Sequence, residues 1–410
     1  MRKIFVGLFS VILLQSARAG EGACPSFAVP QDVVDCVLKN HPDILRVQAE
    51  VPNLEAFSTF AGQRPNPEVS GEVLSNSSPD EAALASEMTY LHTFELGGKR
   101  GRRLDRAAAQ QKIVLARVQR VQEEVGMSTV LNLFRLRHIQ AELHAVEEAQ
   151  HTFRTIVAQY KSRRQLSPEQ QVSLNVFLLA QSDYTLRRSG LVQEQGRLKQ
   201  FFDLATGLKF NEVLKILPTL KTTWPQLSTT VPPLVGAAFK EAQAEMAFAR
   251  AELRIADSVA SPDLKLGPMA GLESGRGQNN KSLGGALSID LPLYQRNQGA
   301  RALAKTDVYR AEVNLNLRER ELAAEWGTWA TAYADAVSSL AKMPSIEQME
   351  KKHQGMEDLF ERGLVQSALV IEAHRQMTDY TESFNAQELR AIEALWSIYR
   401  LEGRALQEKI

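Results

Sequence analysis

The chain has 410 residues, long enough for one large or two medium domains. Its 48 basic and 48 acidic side chains cancel, which leaves no electrostatic footprint for nucleic acid. With 44% apolar and 23% charged residues it has the balance of an ordered protein.

The first residues read as a targeting segment rather than as fold. Arg2 and Lys3 form a basic start, Ile4 to Leu14 is an apolar run too short to span a bilayer as a helix, and Ala17-Arg18-Ala19 fits a signal-peptidase site. Residues 1–19 are therefore expected to be a signal peptide directing export across the inner membrane. No later segment is long and apolar enough for a transmembrane helix, so insertion into a membrane would have to be as a β-barrel. Cys24 and Cys36 are the two cysteines. In an oxidising periplasm they could pair, or they could stay as two thiols. Glu21 stands three residues before Cys24, where lipoprotein signals normally carry an apolar residue, and argues against a lipid anchor.

The rest reads as one plan used twice: a first repeat over 20–205, a connector rich in Thr, Pro and Lys over 206–230, and a second repeat over 231–410. Each repeat has a medium helix, two strand-like runs, a very long helix, a turn and a further helix. In the first, Val69, Gly71 and Val73 alternate, Asn76 to Asp80 reads as a loop, and Tyr90, His92 and Phe94 alternate again. A helix from about Gly101 to Lys161 follows, roughly 90 Å long. Its seam of Leu136, Ile139, Leu143, Val146, Gln150, Phe153, Val157 and Tyr160 steps by 3 and 4, the coiled-coil period. Arg163 and Arg164 mark a tip, and Ser167-Pro168-Glu169 starts the return helix.

In the second repeat Leu264, Leu266, Pro268, Ala270 and Leu272 alternate, and so do Leu283, Gly285, Leu287, Ile289 and Leu291. Glu273 to Lys281 between them reads as an exposed loop. The second seam runs through Leu322, Trp326, Trp329, Tyr333, Ala336, Leu340 and Met343, in register with the first. Glu361, Arg362 and Gly363-Leu364 mark the second tip. Helices this long must be rods packed on other rods. Four strands cannot close a barrel, so closure needs several copies. The alternative is a pair of surface hairpins on a soluble helical scaffold.

At the joints the sequence resembles the TolC-like outer-membrane efflux proteins, and among them the cation-efflux branch of the CzcC and CusC kind. Four stretches in order carry the likeness: Val37 to Asp43, where His41 interrupts an Asn-Pro pair; Ala61 to Glu68; Leu96-Gly97-Gly98-Lys99-Arg100; and Leu291-Pro292-Leu293-Tyr294-Gln295-Arg296-Asn297-Gln298-Gly299. The resemblance implies a mainly α fold. Duplicated helical hairpins would build a periplasmic tunnel, and four strands per protomer would enter a trimeric 12-stranded barrel in the outer membrane. It further implies a homotrimer whose tips meet a periplasmic adaptor (membrane fusion) protein, itself bound to an inner-membrane efflux pump. The expected function is a passive outer-membrane conduit, not an enzyme, with heavy-metal cations as cargo. The rivals are a drug-efflux or type I secretion channel and a soluble periplasmic scaffold or adaptor. At the joints, Gly97, Gly98 and Gly299 are expected to adopt backbone angles that other residues resist, and Pro292 to end strand pairing. Lys99, Arg100, Arg102, Arg103, Arg296 and Arg301 fall at the expected membrane face, where they could anchor outer-membrane lipid or merely solvate a helix start. Acids, not bases, suit a helix N-terminus.

Other signals carry less. Gly97-Gly98-Lys99-Arg100 lacks the flanking Gly and Ser/Thr of a phosphate loop. His138, His144 and His151 are 6 and 7 residues apart, without the i,i+3 or i,i+4 adjacency of a helical metal site, and read as a solvated face. No cofactor, metal site or catalytic constellation is expected. Glu372 and Asp379 share a face and could line a pore or simply lie on an exposed helix.

Overall fold

The computed structural model describes Cys24 and residues 26–410, apart from 79, 80, 208, 229, 276, 277 and 363. The expected signal peptide, the two strand-turn tips and Gly363 lie outside the described residues. Three short helices open the chain: α1 (Pro30–Asn40), α2 (Pro42–Gln48) and α3 (Asn53–Gly62). Strands β1 (Glu68–Ser78) and β2 (Glu81–Phe94) lead into α4 (Lys99–Lys161), a single helix of 63 residues. The chain returns through α5 (Pro168–Thr206) and crosses by way of α6 (Phe210–Val213) to α7 (Ala237–Ser258). Then β3 (Leu264–Gly275), β4 (Gln278–Ile289), α8 (Gln298–Lys342), α9 (Ile346–Glu361) and α10 (Ser367–Leu401) complete it. No described helix is long and apolar enough to cross a membrane.

The helix boundaries follow local chemistry. Ser167 caps α5 by accepting from the Gln170 N–H while Gln170 reaches back to the Ser167 N–H, and Pro168 fills the first helical position. His41 is the cap between α1 and α2: its Nδ1 accepts from the Asp43 N–H at 3.3 Å. The second long helix ends one residue before Met343, the last position of its heptad seam. It stops at Lys342, because Pro344 cannot continue it, and Ser345 caps α9 with Gln348 in the same reciprocal manner.

All four strands form one antiparallel sheet in the order β1-β2-β3-β4. The two expected loops are mostly strand. Asn76, Ser77 and Ser78 pair with Ala83, Ala82 and Glu81, while Glu273, Ser274 and Gly275 pair with Asn280, Asn279 and Gln278. Backbone pairing is indifferent to side-chain polarity, so the ladders run on past the end of the apolar alternation. Between β2 and β3 the register holds on both sides of Pro268, but the pairs opposite Gly267 and Pro268 are missing, as expected where an N–H is absent.

That register sorts the side chains. Val69, Val73, Leu84, Met88, Tyr90, Phe94, Leu266, Leu272, Leu283 and Leu287 share one face, and all are exposed. Ser70, Glu72, Glu87, Thr89, Lys265 and Ser288 occupy the other, with Leu74, Leu91 and Met269 as apolar exceptions. Lys265 meets Glu68 at 2.8 Å on this polar face.

The rods pack around α4. Its buried seam positions Leu136, Val146, Phe153 and Val157 serve two separate cores. One joins α4 through Val130, Leu133 and Leu136 to Val37, Phe202, Trp326 and Ile398. The other, toward the tips, joins Val146 and Phe153 to Phe177, Tyr184 and Val370. A buried polar layer lies between the two along α4. His138, read as solvated, is fully buried, and its Nε2 lies 2.9 Å from the Glu388 carboxylate of α10; His144 and His151 are exposed. Arg137 pairs with the same carboxylate, and the Lys221 N–H donates to it at 2.9 Å. Arg135 bridges Glu142 and Glu194 at 2.8 and 2.7 Å, and Asn385 donates to Glu142 at 3.0 Å.

Burial works to raise the Glu388 carboxyl, but the His138 bond, the Arg137 charge and the Lys221 N–H hold it below its ordinary 4.5. Burial pushes the His138 imidazole below its ordinary 6.5 against the opposing pull of Glu388. Both shifts make the fold acid-labile. Below 6.5 the unfolded chain takes up a proton that buried His138 refuses, and the stabilisation from Glu388 is lost as pH falls through its own lowered value. Denaturation of the purified protein followed by circular dichroism should therefore show stability falling from about pH 6.5 downward. Glu388→Ala, which leaves Arg137 without its counter-charge and His138 without its polar partner, should cost ~3–5 kcal/mol at neutral pH.

Candidate functional site

The joints between sheet and rods concentrate the unusual backbone of the molecule. Gly97 and Gly98 both have φ of 70°, and Gly98 is the residue before α4. The counterpart before α8 is Asn297, with φ 57°, the one described non-glycine residue with positive φ. Both long helices are therefore entered through a left-handed residue, which turns the chain sharply from strand to helix. Gly299 does not have this role: it lies in the first turn of α8 with ordinary φ and nothing near its missing Cβ. Asn is the side chain that best tolerates the left-handed region, and its amide can hold a local partner. Here Asn297 Nδ2 donates to the Ala256 carbonyl at 2.8 Å. Pro292 lies beyond the end of β4, and the Leu293 N–H reaches back over it to the Leu291 carbonyl at 2.9 Å.

Both joints lean on one corner of the chain, residues 256–263, which spans the end of α7 and the turn into β3. Asp263 accepts from the Leu96 N–H at 3.3 Å and pairs with Lys99 at 2.7 Å. Arg301, one turn into α8, pairs with Asp257 at 2.7 Å. Arg100 and Arg103 are committed inward: Arg100 donates to the Gly62 carbonyl at 2.7 Å, Arg103 to those of Ala61 and Gln63, and Arg103 also grips Glu95. The basic cluster thus satisfies the last carbonyls of α3 and the acids beside the joint, which explains bases at a helix start better than a lipid anchor does. Arg296 remains exposed, its backbone N–H donating to Gln298 Oε1.

The other predicted residues gather at the far end of the rods. Arg163 and Arg164 are exposed beyond α4, with Arg163 over the Tyr160 ring, and Arg362 is exposed beyond α9. The α4–α5 and α9–α10 turns belong to the same end, since Leu166, Phe360 and Ile371 all pack on the lower core. Glu372 and Asp379 are engaged. Glu372 pairs with Arg375 at 2.7 Å, while Asp379 accepts from Arg187 of α5 at 2.8 Å and from Arg375 at 3.0 Å. Cys24 and Cys36 are joined as a disulfide with Cα atoms 5.7 Å apart, and Lys209 donates to the Cys24 carbonyl at 2.7 Å. A cluster missed in the sequence lies near the tips, where His353 of α9 and His374 of α10 meet inside the protein with their ring nitrogens 3.0 Å apart.

A Cβ on Gly97 would stand 2.5 Å from Ser261 Oγ and 2.7 Å from its Cβ, whereas one on Gly98 meets nothing within 4 Å. Gly98→Ala should therefore cost only the left-handed strain, about 1–2 kcal/mol. Gly97→Ala should cost more, and adding Ser261→Gly should recover the excess. Thermal denaturation of the three variants measures the difference.

No family model and no curated protein matches the sequence. Solved structures do match. The outer-membrane channel OprN is 16% identical over 91% of this chain and 90% of its own, with a TM-score of 0.70. The Campylobacter jejuni CmeC outer membrane channel is 15% identical over 92% and 86%, with a TM-score of 0.68. CusC, known from structures that describe folding and transmembrane channel formation, is 14% identical over 95% of each chain, with a TM-score of 0.67. Helices, sheet and joints together give this chain the same fold as these solved channels.

Proposed function

We propose that the chain is the protomer of a trimeric outer-membrane channel, a passive conduit in an export system. The observation that carries this reading is the sheet. One face is mainly apolar and largely exposed, the other mainly polar, and the outer edges of β1 and β4 have no strand partner among the described residues. Open edges and a bare apolar face are liabilities in water. In a bilayer they become requirements, because a barrel must pair every edge and present its apolar side to lipid. Joining β4 of one copy to β1 of the next, three times, closes a 12-stranded barrel. Strands of 11 to 14 residues are long enough to cross at a tilt.

Residues 1–19 are the export signal in this reading, 20–205 and 231–410 the two repeats, and 206–230 the connector. The rods form a periplasmic tunnel. The tips around Arg163, Arg164 and Arg362 meet an adaptor bound to an inner-membrane pump, which supplies the energy. Glu372 and Asp379 sit at the same end, where a shift of α10 against α5 would break the Asp379–Arg187 pair as the rods slide apart. Metal cations are the proposed cargo, on the strength of the joint sequences Leu96–Arg100 and Leu291–Gly299. A drug-efflux or type I secretion role is the second reading, since OprN, CmeC and CusC match the fold about equally.

Cell fractionation should place the protein in the outer membrane, and an unheated denaturing gel should show a trimer that heating dissociates. A soluble periplasmic monomer would end the channel reading. Deleting the gene should lower tolerance to copper, zinc or cobalt salts. Loss of drug tolerance with metal tolerance intact would reassign the cargo.

A further inference from the structure

The lower core holds two histidines that the channel architecture does not use. His353 and His374 are 5% and 2% exposed. They face each other across α9 and α10, His353 Nε2 to His374 Nδ1, at 3.0 Å. This contact leaves His353 Nδ1 and His374 Nε2, both buried, without a hydrogen-bond partner. Glu357 lies one helical turn after His353 on the same face of α9. Its Oε1 is 3.1 Å from His374 Nε2, but the ring N–H direction does not point at it, so the two touch without a hydrogen bond. A small cavity opens here, lined by His353, Met356, Glu357, Val370, Ala373 and His374. Leaving polar nitrogens bare in such a place forfeits their hydration, and a ligand that takes their lone pairs removes that cost.

The donor set indicates which ligand. One donor atom from each of His353, Glu357 and His374 lies within 4.8 Å of the other two. Around a tetrahedral ion with bonds of about 2.0–2.1 Å, neighbouring donors stand about 3.3 Å apart. The 3.0 and 3.1 Å contacts use the two different nitrogens of His374, of which only one can bind a given ion, so the donors stand within 4.8 Å of one another and reach that spacing by small turns of the rings. Two imidazoles and a carboxylate suit a borderline divalent transition ion and leave a fourth position for water. The surroundings also resemble the supporting shell of a metal site. Thr152 donates to Glu357 at 3.3 Å, and the Phe153 ring stands edge-on against His374 at 5.3 Å. Glu148 of α4 and Glu350 of α9 each offer an oxygen within the same 4.8 Å reach of His353, adding negative charge beside the ion.

We propose that His353, Glu357 and His374 bind one divalent transition-metal ion of the Zn²⁺ class, clamping α9 to α10 near the tips of the rods. The site is separate from the conduit proposal and would stand whether the cargo is a metal, a drug or a protein. It was concealed in the sequence because its third ligand comes from another helix, although His353 and Glu357 have the i,i+4 spacing of a helical metal site.

The test uses the full-length purified protein, stripped with chelator and titrated with Zn²⁺ by calorimetry, then with Co²⁺ read by its visible absorption. The expected result is one ion per chain and the intense bands of four-coordinate Co²⁺. Glu357→Gln keeps the side-chain volume and the Thr152 contact but removes the charge. Because it removes a ligand, it should weaken Zn²⁺ binding by about 100-fold or more, since even the loss of a residue behind the ligands costs roughly 10–100-fold. His374→Gln should abolish the Co²⁺ bands. His144→Asn with His151→Asn, both exposed on α4, should change nothing and reports adventitious surface binding. No saturable uptake by the stripped wild type would overturn the proposal. So would Zn²⁺ binding of equal affinity in wild type, Glu357→Gln and His374→Gln, each checked for native circular dichroism.

Discussion

The pairing of β2 with β3 is the constraint on which the rest of this molecule depends. It is the one ladder that joins the first half of the chain to the second, and it sets Phe94 beside Leu264 and thus the end of β2 beside the start of β3. The corner at 256–263 is thereby brought under both joints, so that Asp263 meets Lys99 while Ala256 and Asp257 meet Asn297 and Arg301. Two long helices that start at one level, with the same left-handed turn, leave the sheet on either side of α7. Their tips then reach a common end, where Leu166 and Phe360 share one core.

Much of this was legible in the residues. The heptad seam predicts the buried face of α4 because a period of 3.5 survives any arrangement of rods, and Ser167-Pro168 predicts a helix start because capping is local. The strand ends were misplaced because polarity was taken as the sign of a loop, and a backbone ladder does not require apolar side chains. Gly299 was given a turn that belongs to Asn297, since a glycine nearby draws attention from the residue that carries the positive φ. The break at Pro344 could have been read from the sequence, as proline stops a helix wherever it falls.

The histidines show where sequence reading fails in principle. Nothing local marks His138 as buried; its partner Glu388 is 250 residues away, and only the packing of α10 on α4 brings them together. The basic residues of the first joint were legible as a cluster but not as a function. Arg100 and Arg103 reach the last carbonyls of α3, which a reading of the helix start alone cannot supply. In each case the missing information was a contact between elements far apart in the chain.

The central ladder also bears on how the molecule comes to be folded. Ser86 and Leu272 are neighbours in it, yet 186 residues of chain separate them. Contacts of α4 with α5, such as Phe153 with Phe177, lie within the first half and can form early, while both cores are completed only by helices of the second. The sheet must wait until the second half has arrived, because distant strands pair only after a large loop has closed. During that interval Val69, Val73 and Met88 stand on a lone hairpin with no third strand and no surface to cover them. The hairpin is then a ready template for pairing with the wrong chain. A protein built in this order depends on something that shields its first hairpin until the second is delivered.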